Sequence, residues 1–336
     1  MKNIIVTGGA GFIGSNFIKK TINKNYNIIN IDCLTYASNL SYPNNLKNKK
    51  NYFFYKTNIL NQEKITYILK KFNPLYIFNF AAETHVDNSI KDSSVFINTN
   101  ILGTFSLLNA VLKIKNDLSK NFKFIHISTD EVFGDTSKLK RKSLESDAYN
   151  PSSPYSASKA CSDHLVTAWG RTYKIPYNIT YSANNYGPNQ NEEKFIPVII
   201  RSIINNKKIP IYGNGSQMRD WIYVDDNIDA IIKIAEYGKK NEKYNISADN
   251  LLSNNQLVKI ICNILIKKFN FNKKIFKLIY HIKDRPGHDI KYYQNSNKIK
   301  KLGWKTNHNI FRGLEKTISW YLSKSEKLKK KYINLS

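Results

Sequence analysis

The stretch Gly8-Gly9-Ala10-Gly11-Phe12-Ile13-Gly14 separates an apolar run from a segment with helical periodicity. The run before it, Lys2 to Thr7, carries Ile-Ile-Val and predicts a buried strand, and a helix is expected from about Ser15 to Ile22. Two glycine spacings fit this strand-to-helix turn: Gly9, Gly11 and Gly14 form G-x-G-x-x-G, and Gly8, Gly11 and Gly14 form the related spacing. Such a turn lets the backbone approach a pyrophosphate at a helix N-terminus, so the stretch predicts dinucleotide binding.

An acidic residue follows at the expected distance from the glycine motif. The second predicted strand, Tyr26 to Ile31, ends in Asp32, about twenty residues on, where an acid holds the ribose 2′-OH. Because a carboxylate there repels a 2′-phosphate, NAD is favoured over NADP.

Strands and helices alternate along the first half of the chain, without an internal repeat. This order predicts an α/β fold, a Rossmann-type doubly wound parallel sheet. From Asn184 the composition changes: predicted loops rich in Asn, Gly, Pro and Arg alternate with predicted helices. We therefore expect a NAD-binding Rossmann domain over residues 1–183, with returns from about 224–250, and a smaller mixed C-terminal substrate-binding lobe over residues 184–336. The further strands are expected at Tyr52–Lys56, Leu75–Asn79, Lys123–Ser128 and Tyr177–Tyr181, and the further helices at Ser94–Lys113, Phe195–Asn205, Val224–Tyr237 and Asn254–Phe269.

Reactive side chains cluster in two places. Thr129-Asp130-Glu131 follows the strand that ends near Ser128, at the edge where ligands bind open parallel sheets. Tyr155 and Lys159, four residues apart, share one face of a helix that opens after Pro154. A phenol, an ammonium and two carboxyl groups therefore converge on one crevice. Considered without Tyr155 and Lys159, the pair Asp130-Glu131 could equally be two loop acids that only cap a neighbouring helix.

The formal net charge of +27 is the unusual bulk property. It could indicate nucleic acid or an anionic membrane surface. The lysines are scattered, however, and Asn, Ile and Tyr are abundant with them, as A/T-rich codons would produce, so neither partner is expected. The cluster Lys327, Lys329, Lys330 and Lys331 is interpreted as a solvated tail.

Other bulk features point to a cytoplasmic protein. Three cysteines, few and far apart, fit a reducing compartment. The histidines show no metal-ligand spacing, so no metal is expected. No apolar run approaches the ~20 residues of a membrane helix.

These motifs together resemble the extended short-chain dehydrogenase/reductase superfamily and, within it, the branch of dehydratases that act on dTDP-glucose. The glycine motif and Tyr-x-x-x-Lys mark the superfamily, whereas the adjacent Asp130-Glu131 pair separates the dehydratases from related epimerases and decarboxylases. The resemblance covers almost the full chain. It also includes Leu34-Thr35-Tyr36-Ala37, Ala81-Ala82-Glu83, His85-Val86-Asp87, Asn184-Asn185-Tyr186-Gly187-Pro188, Arg219-Asp220-Trp221 and Asp284-Arg285-Pro286-Gly287-His288-Asp289.

The resemblance implies a role for individual residues, a tightly bound NAD, a dTDP-glucose substrate and a homodimer built on the helices near Ser94–Lys113 and Tyr155–Arg171. The implied catalytic residues are Thr129, Asp130, Glu131, Tyr155 and Lys159. The implied cofactor-binding residues are Gly8, Gly11, Phe12, Ile13, Gly14, Asp32, Leu34, Thr35, Asn58, Ile59, Ala81, Ala82, Thr99, Tyr155 and Lys159. The implied substrate-binding residues are His85, Thr129, Asn185, Lys194, Pro210, Tyr212, Arg219, Asn254, Arg285 and His288.

Some of these assignments also have a basis in the residues themselves. Arg219 and Arg285 lie in loops beside glycine, proline and aromatic residues, and guanidinium matches phosphate geometry, so both are candidate clamps for a substrate diphosphate. His85 has no readable partner, and a structural role is expected rather than catalysis.

The chain departs from the family pattern at a few positions. Phe133 replaces a usual Tyr, Asn58 an Asp, Asn88 an Arg, and Ile290 the Arg that usually follows Gly-His-Asp. The residues 189–194 also differ from the usual loop.

The chemistry implied by the resemblance is oxidation at C4 of the glucosyl group, loss of water across C5 and C6, and hydride return to C6. Tyr155 would take the 4-OH proton, Thr129 would bind the 4-oxygen, Glu131 would remove the C5 proton and Asp130 would protonate the departing hydroxyl. Lys159 and the oxidised cofactor are expected to stabilise a Tyr155 phenolate. The alternatives are a UDP- or CDP-glucose dehydratase, a UDP-sugar 4-epimerase, and a catalytically decayed nucleotide- or nucleic-acid-binding protein.

Overall fold

Twelve strands form the sheets in the described part of the chain. The computed structural model describes residues 1–39 and 45–325. In chain order the strands are β1 (Lys2–Thr7), β2 (Tyr26–Asp32), β3 (Tyr52–Lys56), β4 (Tyr76–Asn79), β5 (Lys123–Thr129), β6 (Tyr177–Ser182), β7 (Asn184–Tyr186), β8 (Ile209–Tyr212), β9 (Met218–Tyr223), β10 (Glu242–Ile246), β11 (Leu251–Ser253) and β12 (Ile279–Ile282).

The largest sheet has seven strands in the order β10-β6-β5-β4-β1-β2-β3. Every neighbouring pair in it is parallel. The chain runs outward in both directions from β1 and β4, so their carboxyl ends border the topological switch point where ligands bind such sheets. The predicted Rossmann-type doubly wound sheet is confirmed.

Strands β4, β5 and β6 are buried along their whole length because helices cover both faces of this sheet. One face packs on the helices Phe12–Thr21 and Val224–Tyr237, and the other packs on Gln62–Phe72, Ser94–Lys113 and Pro154–Tyr173. A short helix, Val86–Lys91, follows β4. The N-terminal helix begins at Phe12, three residues before the predicted start, because Gly11 already serves as its N-cap.

The second lobe is built on two small sheets, β11-β9-β7 and β12-β8. Its helices, Phe195–Ile204, Asn254–Phe269 and Ile310–Lys324, bury their apolar faces in a separate core with Trp221. A further short helix spans Asn297–Lys300. Strand β10 lies in the large sheet, and its residues fall inside the range 224–250, where the chain was expected to return to the Rossmann domain. The domain boundary near residue 183 stays a prediction.

The helix Ser94–Lys113 includes a π-helical segment, Ile97–Leu102. By length and composition it could cross a membrane, with a mean hydropathy of 1.5, although half of that apolar window is buried inside the protein. The expectation that no apolar run approaches this length is therefore wrong. Core helices of globular proteins pass the same test, so the helix is weak evidence for a membrane. The lysine cluster at 327–331 lies outside the described residues.

Candidate active site

A cleft opens at the carboxyl ends of β1, β4, β5 and β6. The glycine loop forms one wall and the helix Pro154–Tyr173 forms the other. The cleft brings together many of the residues that the sequence singled out: Gly8, Gly11, Phe12, Ile13, Gly14, Ala82, Thr129, Asp130, Glu131, Tyr155, Lys159, Asn185 and Lys194.

The glycine loop forms a cradle with no room for side chains. Gly8 has a φ of +69°, and a Cβ on it would lie 2.7 Å from the backbone nitrogen of Ala81. A Cβ on Gly14 would lie 2.3 Å from the carbonyl oxygen of Gly8. The helix after the loop has no side-chain cap, so its first N–H groups are available to an anion in the cleft. The loop therefore fits the pyrophosphate of a dinucleotide.

We expect the substitution Gly14→Ala to abolish measurable dinucleotide binding, because the added methyl would push the loop apart at Gly8. Isothermal titration calorimetry with NAD measures this directly. Gly11→Ala is a graded comparison, since its Cβ would meet Gly8 O at 3.2 Å and a smaller shift suffices. Equal affinity of Gly14→Ala and the unmodified protein would contradict the cradle.

Asp32 braces the cradle from the neighbouring strand. Its Oδ2 accepts a hydrogen bond from the Ala10 N–H at 2.9 Å, and its Oδ1 accepts one from the Leu34 N–H at 2.7 Å. Leu34 itself has a φ of +60°. The carboxylate thus fixes two loops at the end of β2, and its binding to a ribose stays a prediction.

Several predicted cofactor residues lie beside the cleft and do not line it. They are Asp32, Leu34, Thr35, Asn58, Ile59, Ala81 and Thr99. Asn58 is exposed, and its Oδ1 accepts the Leu60 N–H at 2.9 Å. Ile59 is buried against the helix position of Gly103. Contact with a cofactor stays a prediction for each of these residues.

The acid pair is held by a tight turn at the end of β5. Thr129 is the last strand residue, and its hydroxyl accepts the Glu131 N–H at 3.3 Å and contacts Asp130 Oδ1 at 3.4 Å. Residues 130–133 form a 3₁₀ turn that ends at Gly134, whose φ is +69°. Asp130 is 4% exposed, and its Oδ2 is buried without a hydrogen-bond partner. The carboxyl group of Asp130 can therefore act on a ligand in the cleft.

The two carboxyl groups experience different surroundings. Burial raises the pKa of Asp130 well above its ordinary value, and the charges of Glu131 and Asp220 add to the shift. Burial also raises the pKa of Glu131, but the positive charges of Arg285, Arg219 and Lys194 oppose it. Both pKa values are raised, that of Asp130 strongly, whereas three cations oppose the shift of Glu131. Asp130 is therefore the better proton donor of the two and Glu131 the better acceptor, as an acid and a base with separate duties require.

The helix with Tyr155 and Lys159 starts with a capping box. The Ser153 side chain accepts the Ser156 N–H, the Ser156 side chain accepts the Ser153 N–H, and Pro154 occupies the first turn. This start fixes the direction of the helix and places Tyr155 and Lys159 one turn apart, both buried.

The protonation of Tyr155 differs from the expectation. Burial and the charges of Glu131 and Asp130 raise its pKa, and a hydrogen bond from Thr129 only partly opposes them. The Lys159 ammonium donates to the Ile127 carbonyl at 2.8 Å, and burial lowers its pKa to about 8. The protein alone therefore does not stabilise the phenolate, because the acid pair lies in the same desolvated cleft. The positive charge of an oxidised nicotinamide is the missing contribution.

A second pocket adjoins the first and shares Thr84, Glu131, Asn184, Glu193 and Lys194 with it. Most of the predicted substrate residues line this pocket: His85, Lys194, Pro210, Tyr212, Arg219, Asn254, Arg285 and His288. The two remaining ones, Thr129 and Asn185, line the first pocket.

The two arginines of this pocket differ in their freedom. Arg219 is buried, stacks on Tyr292 at 4.1 Å, and donates to the carbonyls of Met218 and Asp289, each at 2.9 Å. Arg285 pairs with Asp87 at 3.3 Å, while its Nε is buried without a partner. Arg285 is therefore the better placed of the two to bind an additional anion.

The other side chains of the second pocket are anchored to one another. Tyr212 donates to Asp87 Oδ2 at 2.8 Å, and Lys194 donates to the Thr84 carbonyl at 2.7 Å. His288 Nδ1 lies 2.6 Å from Asp284 Oδ1. His85 Nδ1 accepts the Asn88 N–H at 3.3 Å, so His85 caps a short helix and also lines the pocket. Such mutual contacts preorganise the pocket.

Sequence reasoning gave no role to Asp87, Asp163 and His126. Asp87 holds both Arg285 and Tyr212. The sequence feature that could have indicated this role is the position of Asp87, a polar residue shortly after a strand end, in the motif His85-Val86-Asp87. Asp163 and His126 are fully buried beneath the first cleft. The signal for Asp163 was its spacing, since 155, 159 and 163 lie on one helical face.

The departures from the family pattern are accommodated. Phe133 packs edge-on against Tyr181 at 4.9 Å, inside the core. Asn88 donates to the Tyr36 hydroxyl at 3.3 Å. Ile290 is exposed. The described residues contain no group of three or more His, Cys, Asp or Glu side chains that could hold a metal ion.

The fold and the site define a Rossmann-type nucleotide-dependent enzyme with a Tyr-x-x-x-Lys pair, an adjacent acid pair and a second pocket lined by two arginines. The chain belongs to the GDP-mannose 4,6 dehydratase family, whose model matches residues 5–317. It is 44% identical to the dTDP-glucose 4,6-dehydratase of Haemophilus influenzae over 335 residues, which cover 97% of this chain and 99% of that one.

Solved structures agree with the sequence comparison. The Bacillus anthracis dTDP-glucose 4,6-dehydratase, crystallised with NAD, matches with a TM-score of 0.85 and 37% identity, covering 98% of this chain and 99% of that one. The UDP-glucose 4-epimerase of Thermotoga maritima, with UDP-glucose, reaches 0.84 at 28% identity, covering 96% and 99%. Because an epimerase shares the fold so closely, the fold alone does not determine which reaction is catalysed. The reaction has to be inferred from the side chains of the site.

Proposed function

We propose that the protein is an NAD-dependent dTDP-glucose 4,6-dehydratase, which converts dTDP-glucose to dTDP-4-keto-6-deoxyglucose. The observation that carries the proposal is the convergence of Asp130, Glu131, Tyr155 and Lys159 on one cleft. An epimerase needs only an oxidation and a reduction at C4. The additional acid and base match a reaction that also removes water.

NAD fits the glycine cradle, and Gly8, Gly11, Gly14 and Asp32 are proposed to hold it. When bound, it accepts a hydride from the sugar and later returns it. Tyr155 and Lys159 border the same cleft, so the reacting end of the cofactor belongs beside them. The acid pair excludes additional negative charge from the cleft and favours the positively charged, oxidised form.

The proposed work of the protein side chains follows from their protonation. Tyr155 removes the proton of the 4-hydroxyl group as C4 is oxidised, and Thr129 hydrogen-bonds the 4-oxygen. The resulting ketone acidifies the C5 proton, which Glu131 removes. Asp130 donates its proton to the C6 hydroxyl group, which leaves as water. The surroundings hold the proton of Asp130 more firmly than they would hold one on Glu131, because nearby cations oppose the shift of Glu131.

The second pocket is proposed to bind the nucleotide of the substrate. Arg219 and Arg285 place two guanidinium groups in it, and Lys194 lies where the two pockets meet. This arrangement positions the sugar of a nucleotide diphosphate over the acid pair, because Glu131 borders both pockets. The binding energy of the remote nucleotide can then orient the glucosyl group for reaction.

The experiment that tests the function is a comparison of dTDP-glucose, UDP-glucose and CDP-glucose as substrates of the purified protein. We expect turnover of dTDP-glucose to a 4-keto-6-deoxy product, observed by its absorbance in alkali, with the highest kcat/KM of the three. A 4-epimer as product would favour an epimerase. Preference for another nucleotide would retain the dehydratase and correct the substrate, whereas binding of NAD without any turnover would indicate a decayed enzyme.

We expect Arg285→Gln to raise KM for dTDP-glucose about 10- to 100-fold with a smaller change in kcat, since a hydrogen bond to a charged group is worth about 1.5–3 kcal/mol. Steady-state kinetics measure this. Arg312→Gln, on the exposed face of the helix Ile310–Lys324, is the matched control and should leave KM unchanged. An unchanged KM in Arg285→Gln would remove this residue from the substrate site.

A homodimer is part of the proposal. The helix Ser94–Lys113 packs on the helix that carries Tyr155 and exposes several large apolar side chains: Val95, Ile97, Leu102 and Phe105. Phe105 packs edge-on against Trp169 of that helix at 5.7 Å. Covering these side chains with a second copy explains an apolar helix that is only half buried. Analytical ultracentrifugation should give twice the chain mass.

We also propose a cytoplasmic location without nucleic-acid or membrane partners. Cys33, Cys161 and Cys262 are all free thiols, which fits a reducing compartment. The charge excess is spread over the chain, as drift in base composition would produce. Binding to heparin without specific binding to a duplex would agree with this interpretation.

A further inference from the structure

The helix that carries Tyr155 has an unusual polar face. Tyr155, Lys159 and Asp163 lie at successive turns, and their exposed fractions are 7%, 3% and 0%. Burying three ionisable side chains on one face is costly unless each is compensated. The mechanism uses the first two and leaves Asp163 without a function.

The partners of Asp163 hold it in one position. Ser128 donates a hydrogen bond to its Oδ2 at 2.8 Å. Its Oδ1 lies 3.4 Å from His126 Nε2 and has no hydrogen-bond partner. Both neighbours come from β5, the strand that ends in Thr129 and leads to the acid pair. Asp163 therefore ties the Tyr155 helix to the strand that presents Asp130 and Glu131.

The tautomer of His126 follows from a directed chain of hydrogen bonds. The Ala81 N–H donates to the Thr7 hydroxyl at 3.3 Å, and that hydroxyl donates to Asn79 Oδ1 at 2.6 Å. The Asn79 amide then donates to His126 Nδ1 at 3.1 Å. Nδ1 is therefore an acceptor, and the single ring proton lies on Nε2.

The other end of this chain of hydrogen bonds reaches the backbone carbonyl of Lys159. His126 Nε2 lies 3.1 Å from the Ser162 hydroxyl, which donates to the Lys159 carbonyl at 2.8 Å. Burial and the charge of Lys159 lower the pKa of His126 to about 4, so its ring is neutral near pH 7. A neutral ring cannot balance the charge of Asp163, and the cations that its charge favours are lysines.

Two lysines are available to balance Asp163. Lys243 on β10 is half-buried, and its ammonium donates to the Tyr149 hydroxyl at 3.2 Å. Lys159 is the more deeply buried of the two and lies one turn before Asp163. The two side chains are anchored on adjacent residues of β5, because the Lys159 ammonium donates to the Ile127 carbonyl and Asp163 accepts from the Ser128 hydroxyl. Burial lowers the pKa of Lys159, and the charge of Asp163 opposes that change. Of the two lysines near Asp163, Lys159 is the one that borders the cleft.

We infer that Asp163 is a positioning residue: its buried carboxylate, fixed by Ser128, keeps Lys159 cationic one helical turn after Tyr155. The inference rests on the proposed function only for its kinetic consequence. The ionisable groups around the pair come from every neighbouring element. Tyr155, Asp130 and Glu131 border the cleft beside Lys159, His126 faces it from β5, and Tyr149, Tyr181 and Lys243 surround Asp163.

The kinetic test is the pH profile of kcat in Asp163→Asn, an isosteric change that keeps an acceptor for Ser128. We expect the alkaline limb to move down by about one pH unit or more, as for loss of a nearby opposite charge. Activity should recover towards that of the unmodified protein at lower pH. Ser162→Ala, which removes a neutral member of the same network, should not move the limb. An equal loss of activity at every pH, or an unmoved limb, would overturn the inference.

The second test needs no substrate, so it stands apart from any failure of the proposed function. Unfolding midpoints are compared for Asp163→Asn, Lys159→Met and the double variant. Removing one member leaves the other charge uncompensated, so the double variant should lose less stability than the sum of the single losses. Additive losses would overturn the inference. This comparison remains decisive if Asp163→Asn is too unstable for kinetics, because the double variant lacks both charges.

Discussion

Glu131→Gln should bind NAD and dTDP-glucose and still fail to dehydrate the sugar. Loss of a general base costs about 10²- to 10⁴-fold in rate, and the amide cannot accept the C5 proton. The steps before dehydration depend on Tyr155 and Thr129, which the change leaves in place. We therefore expect reduced cofactor and a 4-ketoglucose nucleotide to accumulate when substrate is added.

Absorbance of the reduced nicotinamide, followed after rapid mixing, measures this accumulation, and mass spectrometry identifies the sugar. Glu63→Gln, on the exposed start of the helix Gln62–Phe72, is the matched control and should turn over normally. Full turnover by Glu131→Gln would remove this residue from the mechanism and leave the acid pair with a structural role.

Tyr155→Phe should stop the reaction one step earlier. Without the phenol oxygen no group at this position can take the 4-hydroxyl proton, and a loss of about 10²- to 10⁴-fold in turnover is expected. Reduced cofactor should not appear, in contrast to Glu131→Gln. The same rapid-mixing measurement distinguishes the two variants.

The control for the tyrosine is Tyr67→Phe, on an exposed helix face. Because Tyr155 is buried, its variant also requires a check of NAD affinity and of the unfolding midpoint. If Tyr155→Phe formed reduced cofactor as fast as the unmodified protein, another base would have to act at O4. The raised pKa of Tyr155 makes this a strict test, since the protein alone holds the phenol protonated.

Six of the seven strands of the large sheet were predicted, because they are apolar and separated by well-marked helices, whereas β10 was expected only as a return within about 224–250. The Val224–Tyr237 and Asn254–Phe269 helices were predicted at their observed bounds. None of the strands of the two small sheets was predicted. They have three to six residues, such as Asn184–Tyr186, and their pairing partners lie far away in the chain.

The site was predictable to the extent that its residues cluster in the chain. Thr129, Asp130 and Glu131 are adjacent, and Tyr155 and Lys159 share a helical face. The interaction of Arg285 with Asp87 was not predictable, because the two residues are far apart in the chain and meet only across the pocket. The raised pKa of Tyr155 was also missed, since desolvation depends on the walls of the cleft rather than on neighbours in the sequence.

The central claim is that the hydride removed from C4 returns to C6 of the same sugar. The most direct measurement is the reaction of dTDP-glucose carrying deuterium at C4, with the product examined by NMR and mass spectrometry. We predict that the deuterium is found at C6 of a 4-keto-6-deoxy product, with no net reduction of NAD. Deuterium retained at C4 of an inverted sugar, or lost to solvent, would contradict the account.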